Sequence, residues 1–225
     1  MSEIKVIEIQ KRIYANNDEQ AEMLRQELIM NKTFMVNLMS SPGSGKTTML
    51  VSTINRIKDQ LKIGIVEADI DSDVDAHTIL RETGVAVNQI HSGGMCHIDS
   101  GMARIGLEDL HYQDLDFVVI ENIGNLICPA SYDLGQALNM MILSVPEGDD
   151  KPLKYPKMFS KVDVLVVSKI DALSVFKFDF KALEERTKKL NPNIKIFPIS
   201  AVTGEGMDAW CEFLINSVKH FKEGI

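Results

Sequence analysis

The sequence has few cysteines and no long apolar run. Its 225 residues include only Cys96, Cys128 and Cys211, which are too few and too far apart for a disulfide framework. No stretch approaches the ~18 consecutive apolar residues of a membrane-spanning helix, and residues 1–10 mix charges with isolated Ile and Val, unlike a secretory signal. We therefore expect a cytoplasmic protein without a membrane partner, whose thiols are free or bind metal.

Blocks of basic residues are also absent. The chain has 24 Lys and Arg against 32 Asp and Glu, a net charge of -8. Such a chain has no cationic cluster to neutralise a phosphate backbone, so nucleic acid is excluded as the expected partner. The hydrophobic fraction of 45% and the charged fraction of 25% are typical of a globular domain, and the length suits one such domain.

What the chain does have is a regular alternation of short apolar runs and amphipathic stretches. The runs suit strands that are buried on both faces, and they lie at residues 34–39, 63–67, 85–90, 117–121, 140–145, 164–167 and 194–199. The helix-length stretches lie at residues 47–61, 101–110, 180–190 and 207–221. This order predicts an α/β fold with a mainly parallel sheet of about seven strands flanked by helices.

Two further segments frame this pattern. Residues 17–30 predict an extra helix capped by Asn17 or Asp18, so we divide the chain into an N-terminal extension, 1–33, and an α/β domain, 34–225. Residues 146–156 are dense in proline, glycine and charge and follow a predicted strand, which indicates a loop at the ligand-binding edge of the sheet.

The segment SSPGSGKTT, residues 40–48, follows the first predicted strand and opens a helix. Small residues there let backbone N–H groups approach phosphates, a lysine reaches the β- and γ-phosphates, and a hydroxyl binds Mg²⁺. The residues predicted to contact the nucleotide are Gly43, Ser44, Gly45, Lys46, Thr47 and Thr48. Ser40 stands where the usual pattern has glycine. The segment predicts a nucleoside triphosphatase.

Two acidic residues at strand ends are candidates to complete the Mg²⁺ site beside Thr47. Asp69 and Glu121 could each hold the ion directly or through water, and each could orient the attacking water, so we group them with Lys46 as candidate catalytic residues. The alternative for the acids is a surface position at the start of a loop. The acidic cluster from Asp69 to Asp75 resembles a mobile switch segment.

A second loop is a candidate for reading the base. Lys169 and Asp171 follow a predicted strand in the order Ser-Lys-Ile-Asp, close to the Asn-Lys-x-Asp of guanine-binding P-loop proteins. The carboxylate matches the donor pair of guanine, which adenine lacks, so GTP is the predicted nucleotide. Ser200 and Ala201 follow the last predicted strand and are expected to line the same base site.

Cys96 and His97 are adjacent in a glycine-rich loop, and Cys128 follows 31 positions later. A thiolate and imidazole set suits Zn²⁺ or Ni²⁺, although three ligands fall short of the four in a closed zinc site. Spacing alone favours two buried cysteines and an unrelated histidine. Cys211 lies in an apolar helix and is interpreted as a core residue.

Taken together, several stretches between Ser40 and Trp210 resemble the GTPases that insert nickel into nickel-iron hydrogenases, of the hydrogenase maturation factor B type, related to the urease accessory GTPase. These stretches are SSPGSGKTT, the EADI that ends near Asp69, GGMCHID, ENIGNLICPASYDLG, SVPEGDDKPLKYPKMF and ISAVTGEGMDAW.

The resemblance implies a SIMIBI-type P-loop fold that hydrolyses GTP to GDP and phosphate with Mg²⁺. It implies a homodimer that depends on nucleotide or metal and holds Ni²⁺ or Zn²⁺ at its interface through Cys96, His97 and Cys128. The implied partners are a companion nickel-binding accessory protein and the hydrogenase large-subunit precursor. A nickel GTPase serving another enzyme such as urease, or a nucleotide-gated metal-binding scaffold with negligible turnover, are the alternatives.

The chain departs from the family pattern at a few places. Ser168 replaces the usual Asn, and Val202 stands where a basic residue often follows Ser-Ala. Residues 1–39 contain neither Cys nor His, so high-capacity nickel storage is not expected.

Overall fold

The structure is a computed structural model that describes residues 9–224, with side chains described from Tyr14 onward. The interpretation of residues 1–10 as unlike a secretory signal therefore falls almost entirely outside the described residues. None of the helices within this range is long and apolar enough to cross a membrane.

All seven predicted strands are present, and they form one parallel sheet in the order β3-β2-β4-β1-β5-β6-β7. Each strand pairs in parallel with its neighbours. The strands are β1 (Phe34–Ser40), β2 (Ile63–Asp69), β3 (Ala86–His91), β4 (Phe117–Glu121), β5 (Leu138–Ser144), β6 (Val164–Ser168) and β7 (Lys195–Pro198). Because the sheet is parallel, all the loops that follow its strands meet at one edge.

Eight α-helices flank the sheet in the described part of the chain. They are α1 (Ile9–Asn31), α2 (Lys46–Ile57), α3 (Val74–Thr83), α4 (Ser100–Asp109), α5 (Lys151–Lys154), α6 (Pro156–Lys161), α7 (Phe180–Leu190) and α8 (Met207–Glu223). The four predicted helix-length stretches correspond to α2, α4, α7 and α8.

The central strand β1 shows how the layers are held together. All seven of its residues are buried. Val36 and Leu38 belong to the apolar cluster that includes residues of α2 and α8, whereas Met35 belongs to the cluster formed with α1 and α4. Alternate side chains thus pack on opposite faces, as expected for a strand covered by helices on both sides.

The predicted start of the N-terminal helix is wrong. The helix α1 already runs from Ile9, so neither Asn17 nor Asp18 caps it. Asn17 instead lies in mid-helix, buried, and makes hydrogen bonds to other parts of the fold. Leu24 and Leu28 of α1 pack into the apolar cluster shared with α4. The division at residues 33 and 34 stays a prediction.

Two segments interpreted as loops contain helices. The helix α3 begins at Val74, so Asp75 lies in its first turn rather than in an open switch loop. A single helical turn (Val145–Glu147) and the short helix α5 replace most of the loop predicted for residues 146–156. Ser144 and Glu147 form a capping box there, which accounts for the early helical turn.

Candidate nucleotide and metal sites

The segment SSPGSGKTT forms the turn between β1 and α2. Gly43 and Gly45 have φ values of 74° and 94°, in the left-handed region that favours glycine. Gly45 is the residue directly before α2. Ser40, where glycine is usual, ends β1 fully buried, and its hydroxyl donates to the Ser41 carbonyl at 2.9 Å. The turn therefore presents the N-terminus of α2 at the ligand-binding edge of the sheet.

Lys46 reaches from this turn to a buried acid at the end of β4. Its Nζ atom lies 3.8 Å from Oε1 of Glu121. Glu121 is fully buried, and neither of its carboxylate oxygens has a hydrogen-bond partner in the described structure. Burial raises the pKa of Glu121 to about 8, while the Lys46 charge acts in the opposite direction.

Glu67 and Asp75 complete an acidic group around Glu121. Glu67 and Glu121 occupy paired positions on β2 and β4, and one carboxylate oxygen from each of the three acids lies within 4.8 Å of the others. Burial raises the pKa of Glu67 to about 7. Asp75 accepts a hydrogen bond from the Thr47 hydroxyl at 2.9 Å. Oxygen ligands gathered next to a threonine hydroxyl are the set that Mg²⁺ prefers.

Asp69 faces a different set of groups from those predicted. Its Oδ1 atom accepts from the backbone N–H groups of Asp71 and Ser72 at 3.1 and 2.9 Å. Burial would raise the pKa of Asp69, but these backbone donors lower it overall. Sequence reasoning missed Glu67, although a lone acid inside an otherwise apolar strand run is a signal for a buried functional carboxylate.

The predicted base-reading loop is hydrogen-bonded to the phosphate loop. Ser168 donates from its hydroxyl to the Ser44 carbonyl at 2.7 Å, and Lys169 donates from Nζ to the Gly43 carbonyl at 2.7 Å. The side chain of Lys169 also passes 3.4 Å from where a Cβ on Gly45 would stand. Ser168 thus occupies the Asn position with a side chain that ties the two loops together.

Asp171 and the Ser200-Ala201 segment lie at the same edge. Asp171 is exposed in a helical turn (Ile170–Ser174), whose first N–H bonds the Ile199 carbonyl at 3.2 Å. Ser200 is buried, and its hydroxyl accepts from the Thr203 N–H at 3.1 Å. Val202 is 79% exposed, so its side chain does not form a buried wall of the predicted base site.

Cys96, His97 and Cys128 come together in loops at the same edge of the sheet as the phosphate-binding turn. One ligand atom from each lies within 4.8 Å of the others; the two Sγ atoms are 2.7 Å apart, and Cys96 Sγ lies 3.8 Å from His97 Nδ1. The first two residues follow β3, and Cys128 precedes a short turn (Pro129–Ser131) after β4. Cys211 lies apart in α8, where burial raises its thiol pKa to about 11.

The surroundings of this cluster shift the pKa values of Cys96 and His97 toward the uncharged forms of both side chains. Hydrogen bonding to Cys128, followed by burial, raises the pKa of the Cys96 thiol. Burial lowers the pKa of His97, so the imidazole is kept in the neutral form that binds metal. A cation would compete with the thiol protons for this set of ligands.

Short contacts connect the phosphate loop with the metal cluster. A Cβ on Gly124 would come within 3.2 Å of the Pro42 nitrogen, so these two backbones are in close contact. The next residue, Asn125, donates from its side chain to the Cys96 carbonyl at 3.3 Å. The two candidate sites therefore share one short segment, residues 122–128.

Comparisons with known proteins agree with this geometry. Residues 34–198 match the family described as CobW/HypB/UreG, nucleotide-binding domain. Similar curated proteins include the hydrogenase maturation factor HypB of Rhizobium leguminosarum bv. viciae, 42% identical over 95% of this chain and 71% of that protein. The hydrogenase/urease maturation factor HypB of Helicobacter pylori J99 is 40% identical over 94% of this chain and 88% of that protein.

Solved structures give the same result. HypB from Helicobacter pylori in complex with nickel superposes with a TM-score of 0.85 at 39% identity, covering 91% of this chain and 96% of that chain. HypB from Archaeoglobus fulgidus gives 0.84 at 35% identity, covering 91% and 99%. The signal recognition particle 54 kDa protein from Aeropyrum pernix K1, in complex with GDP, is similar in fold alone: 0.58 at 15% identity, covering 99% and 59%.

Proposed function

Because the chain belongs to the HypB-type hydrogenase maturation factors of the CobW/HypB/UreG family, we propose that it is a GTP-hydrolysing nickel chaperone. It assists nickel insertion into the large-subunit precursor of a nickel-iron hydrogenase, and a companion nickel-binding accessory protein exchanges metal with it. It acts in the cytoplasm.

The observation that carries this proposal is the gathering of two thiols and one imidazole beside a phosphate-binding loop. Nickel and zinc favour these ligands over carboxylates, and Cys96 is exposed where cargo can enter and leave. Three ligands per chain leave coordination positions open. A second copy of the chain supplies the missing ligands when two such faces meet, which makes the nickel-loaded form a homodimer.

On the nucleotide side, the N-terminus of α2 and Lys46 bind the phosphates of GTP. Thr47, Asp75 and Glu121 are suited to hold Mg²⁺, because their oxygens lie together and those of Glu121 are buried without partners. The ion neutralises phosphate charge when it is bound. Asp69, two residues beyond Glu67 on β2, orients the attacking water after its backbone contacts rearrange around GTP.

The segment 122–128 couples the two activities. Near its start, Gly124 contacts Pro42 of the phosphate loop, and its last residue is the metal ligand Cys128. Loss of the γ-phosphate releases the loops that GTP had ordered, and Cys96 and Cys128 then hold nickel less tightly.

Nickel binding is expected to require the three cluster residues but not the third cysteine. Cys96→Ala, His97→Ala and Cys128→Ala each remove a ligand and should weaken nickel binding by at least tenfold. Cys211→Ala is the matched control, because its thiol is buried in the core. Equilibrium dialysis with nickel, and light scattering of the same samples with a GTP analogue, measure stoichiometry and mass together.

A dimer mass is expected when nickel is bound to the intact cluster or when the GTP analogue is present. Equal nickel stoichiometry in the three cluster variants and in Cys211→Ala would contradict the proposed site. A monomer mass under every condition would contradict the proposed dimer.

Guanine preference is expected to depend on Asp171. The Asp171 carboxylate can accept from both the guanine N1 and 2-amino protons. In Asp171→Asn one of the two acceptor oxygens becomes a donor NH₂ group, so GTP affinity should fall about a hundredfold or more. Xanthine carries a carbonyl oxygen in place of the 2-amino group and can accept from the new amide. We therefore expect XTP to displace a fluorescent GTP analogue from the variant better than GTP does.

Asp59→Asn serves as the matched control, since Asp59 is an exposed aspartate in the turn after α2. It should keep the order GTP over ATP and XTP. If the unmodified protein binds GTP and ATP equally, the assignment of residues 168–171 as the base-reading loop is wrong.

A further inference from the structure

The helix α1 contacts both loops of the nickel site through one buried side chain. Asn17 is 5% exposed in the middle of the helix. Its Oδ1 atom accepts from the Ser100 N–H at 2.9 Å, and its Nδ2 atom donates to the Asp133 carbonyl at 2.9 Å. The Ser100 hydroxyl in turn donates to the Asn17 backbone carbonyl at 3.0 Å. One amide thus satisfies a buried donor and a half-buried acceptor from two distant segments.

Those two segments are the ends of the ligand loops. Ser100 comes three residues after His97 and begins α4, and Asp133 comes five residues after Cys128. The strands that precede the loops, β3 and β4, are not neighbours, because β2 lies between them. Pairing within the sheet therefore does not fix the distance between Cys96 and Cys128. The hydrogen bonds of Asn17 to Ser100 and Asp133 connect the two ligand loops directly.

An aromatic contact fixes the third ligand. The His97 ring stacks on Tyr132, with ring centroids 3.8 Å apart and planes inclined by 19°. Tyr14 of α1 packs edge-on against the same tyrosine, with centroids 5.2 Å apart. Tyr132 is therefore held between the helix and the imidazole, and it limits rotation of the imidazole about its side-chain bonds.

Arg25 adds a second attachment of α1 to the segment after Cys128. Its guanidinium pairs with the Asp133 carboxylate and donates to the Gln136 carbonyl at 2.9 Å. The helix is thus joined to this segment at two places, two turns apart, in addition to its bond with Ser100.

We propose that Asn17 and Tyr132 are positioning residues of the nickel site and that α1 is the brace that holds its two loops at binding distance. The proposal rests on the proposed function, since it concerns nickel held by Cys96, His97 and Cys128. Without the brace, binding has to order the two loops and the imidazole at the same time. Outer contacts that orient metal ligands typically change metal affinity by about 10- to 100-fold.

The test compares nickel affinity, measured by competition with a chelator, and the thiolate-to-nickel charge-transfer absorption across matched variants. Asn17→Leu removes both bridging hydrogen bonds, and Tyr132→Leu removes the stacked ring; each should weaken nickel binding at least tenfold and alter the absorption band. Tyr132→Phe keeps the ring and should stay within twofold of the unmodified protein. The tyrosine pair leaves the buried bonds of Asn17 intact, so it decides the matter even if Asn17→Leu folds poorly.

Glu27→Gln controls for general loosening of the helix. Glu27 pairs with Arg104 at 2.7 Å and accepts from the Tyr112 hydroxyl at 3.1 Å, and it holds α1 to the domain without touching either ligand loop. This variant should lower the melting temperature and leave nickel affinity unchanged.

Three outcomes overturn the inference or its premise. Unchanged nickel binding in Tyr132→Leu overturns the bracing role while the nickel site itself stands. A loss of nickel affinity in Tyr132→Phe or Glu27→Gln as large as the loss in Tyr132→Leu does the same. Failure of the unmodified protein to bind nickel at all overturns the proposed function, and the inference with it.

Discussion

Replacing Lys46 by alanine is expected to reduce GTP hydrolysis by about a hundred- to a thousandfold. Lys46 directly follows Gly45 in the phosphate-binding turn, and its ammonium group lies 3.8 Å from the Glu121 carboxylate. A fixed cation at this place stabilises the charge that builds up on the phosphoryl oxygens during hydrolysis, and loss of one such group typically costs this factor in rate. Steady-state phosphate release, measured with saturating GTP and Mg²⁺, gives the ratio.

The same variant also separates an enzyme from a scaffold. Lys46 does not contribute to the Cys96, His97 and Cys128 cluster, so nucleotide-free Lys46→Ala should bind nickel with unchanged affinity. Its melting temperature shows whether removal of the cation beside the buried Glu121 has unfolded the protein. Turnover that is equal in Lys46→Ala and in the unmodified protein would mean that the chain does not hydrolyse GTP by this loop.

Most of the fold could be predicted from residue patterns within single strands, helices and turns. The seven strands are nearly continuous apolar runs because helices cover both faces of a parallel sheet, and the glycines of the phosphate turn directly follow one of them. The helix α3 was not predicted because the acidic residues from Asp69 to Asp75 were interpreted as a switch segment, although an acid in the first turn favours a helix. Asn17 was predicted to cap the N-terminal helix because asparagine favours the cap position. The helix begins earlier, and the Asn17 side chain forms hydrogen bonds to Ser100 and Asp133 instead.

The metal cluster could not be derived from residue spacing. Cys96 and Cys128 follow strands that are separated by β2, and the order of strands in a sheet is not contained in the pattern of apolar residues. Only the resemblance to a known family brought these residues together before the structure did. Glu67 was missed for a related reason, because its significance depends on the register that pairs it with Glu121.

Glu121→Gln is expected to reduce GTP hydrolysis strongly and, at the same time, to stabilise the nucleotide-free protein above pH 7. The carboxylate is fully buried, has no hydrogen-bond partner among the described residues, and has only Lys46 at 3.8 Å as a compensating charge. Burial raises its pKa from 4.5 to about 8. The neutral amide avoids this penalty but is a poorer ligand for Mg²⁺.

The pH dependence gives the sharper measurement. Between pH 4.5 and about 8 the folded protein holds a proton on Glu121 that the unfolded chain has released. The free energy of unfolding should therefore fall as pH rises through this range, by a few kcal/mol in total, since one pKa unit corresponds to about 1.4 kcal/mol. Glu67, whose pKa is raised to about 7, contributes in the same direction, so Glu121→Gln should flatten the profile only in part.

Urea unfolding of the nucleotide-free protein at a series of pH values compares the unmodified protein with Glu121→Gln and with Glu185→Gln. The last variant makes the same chemical change on an exposed position of α7, so its profile should run parallel to that of the unmodified protein. Parallel profiles for all three proteins would mean that Glu121 is ionised in the free protein without a penalty. A buried acid that destabilises the free protein has no role in stability. Its carboxylate is explained by function, because it contributes only when GTP and Mg²⁺ are bound.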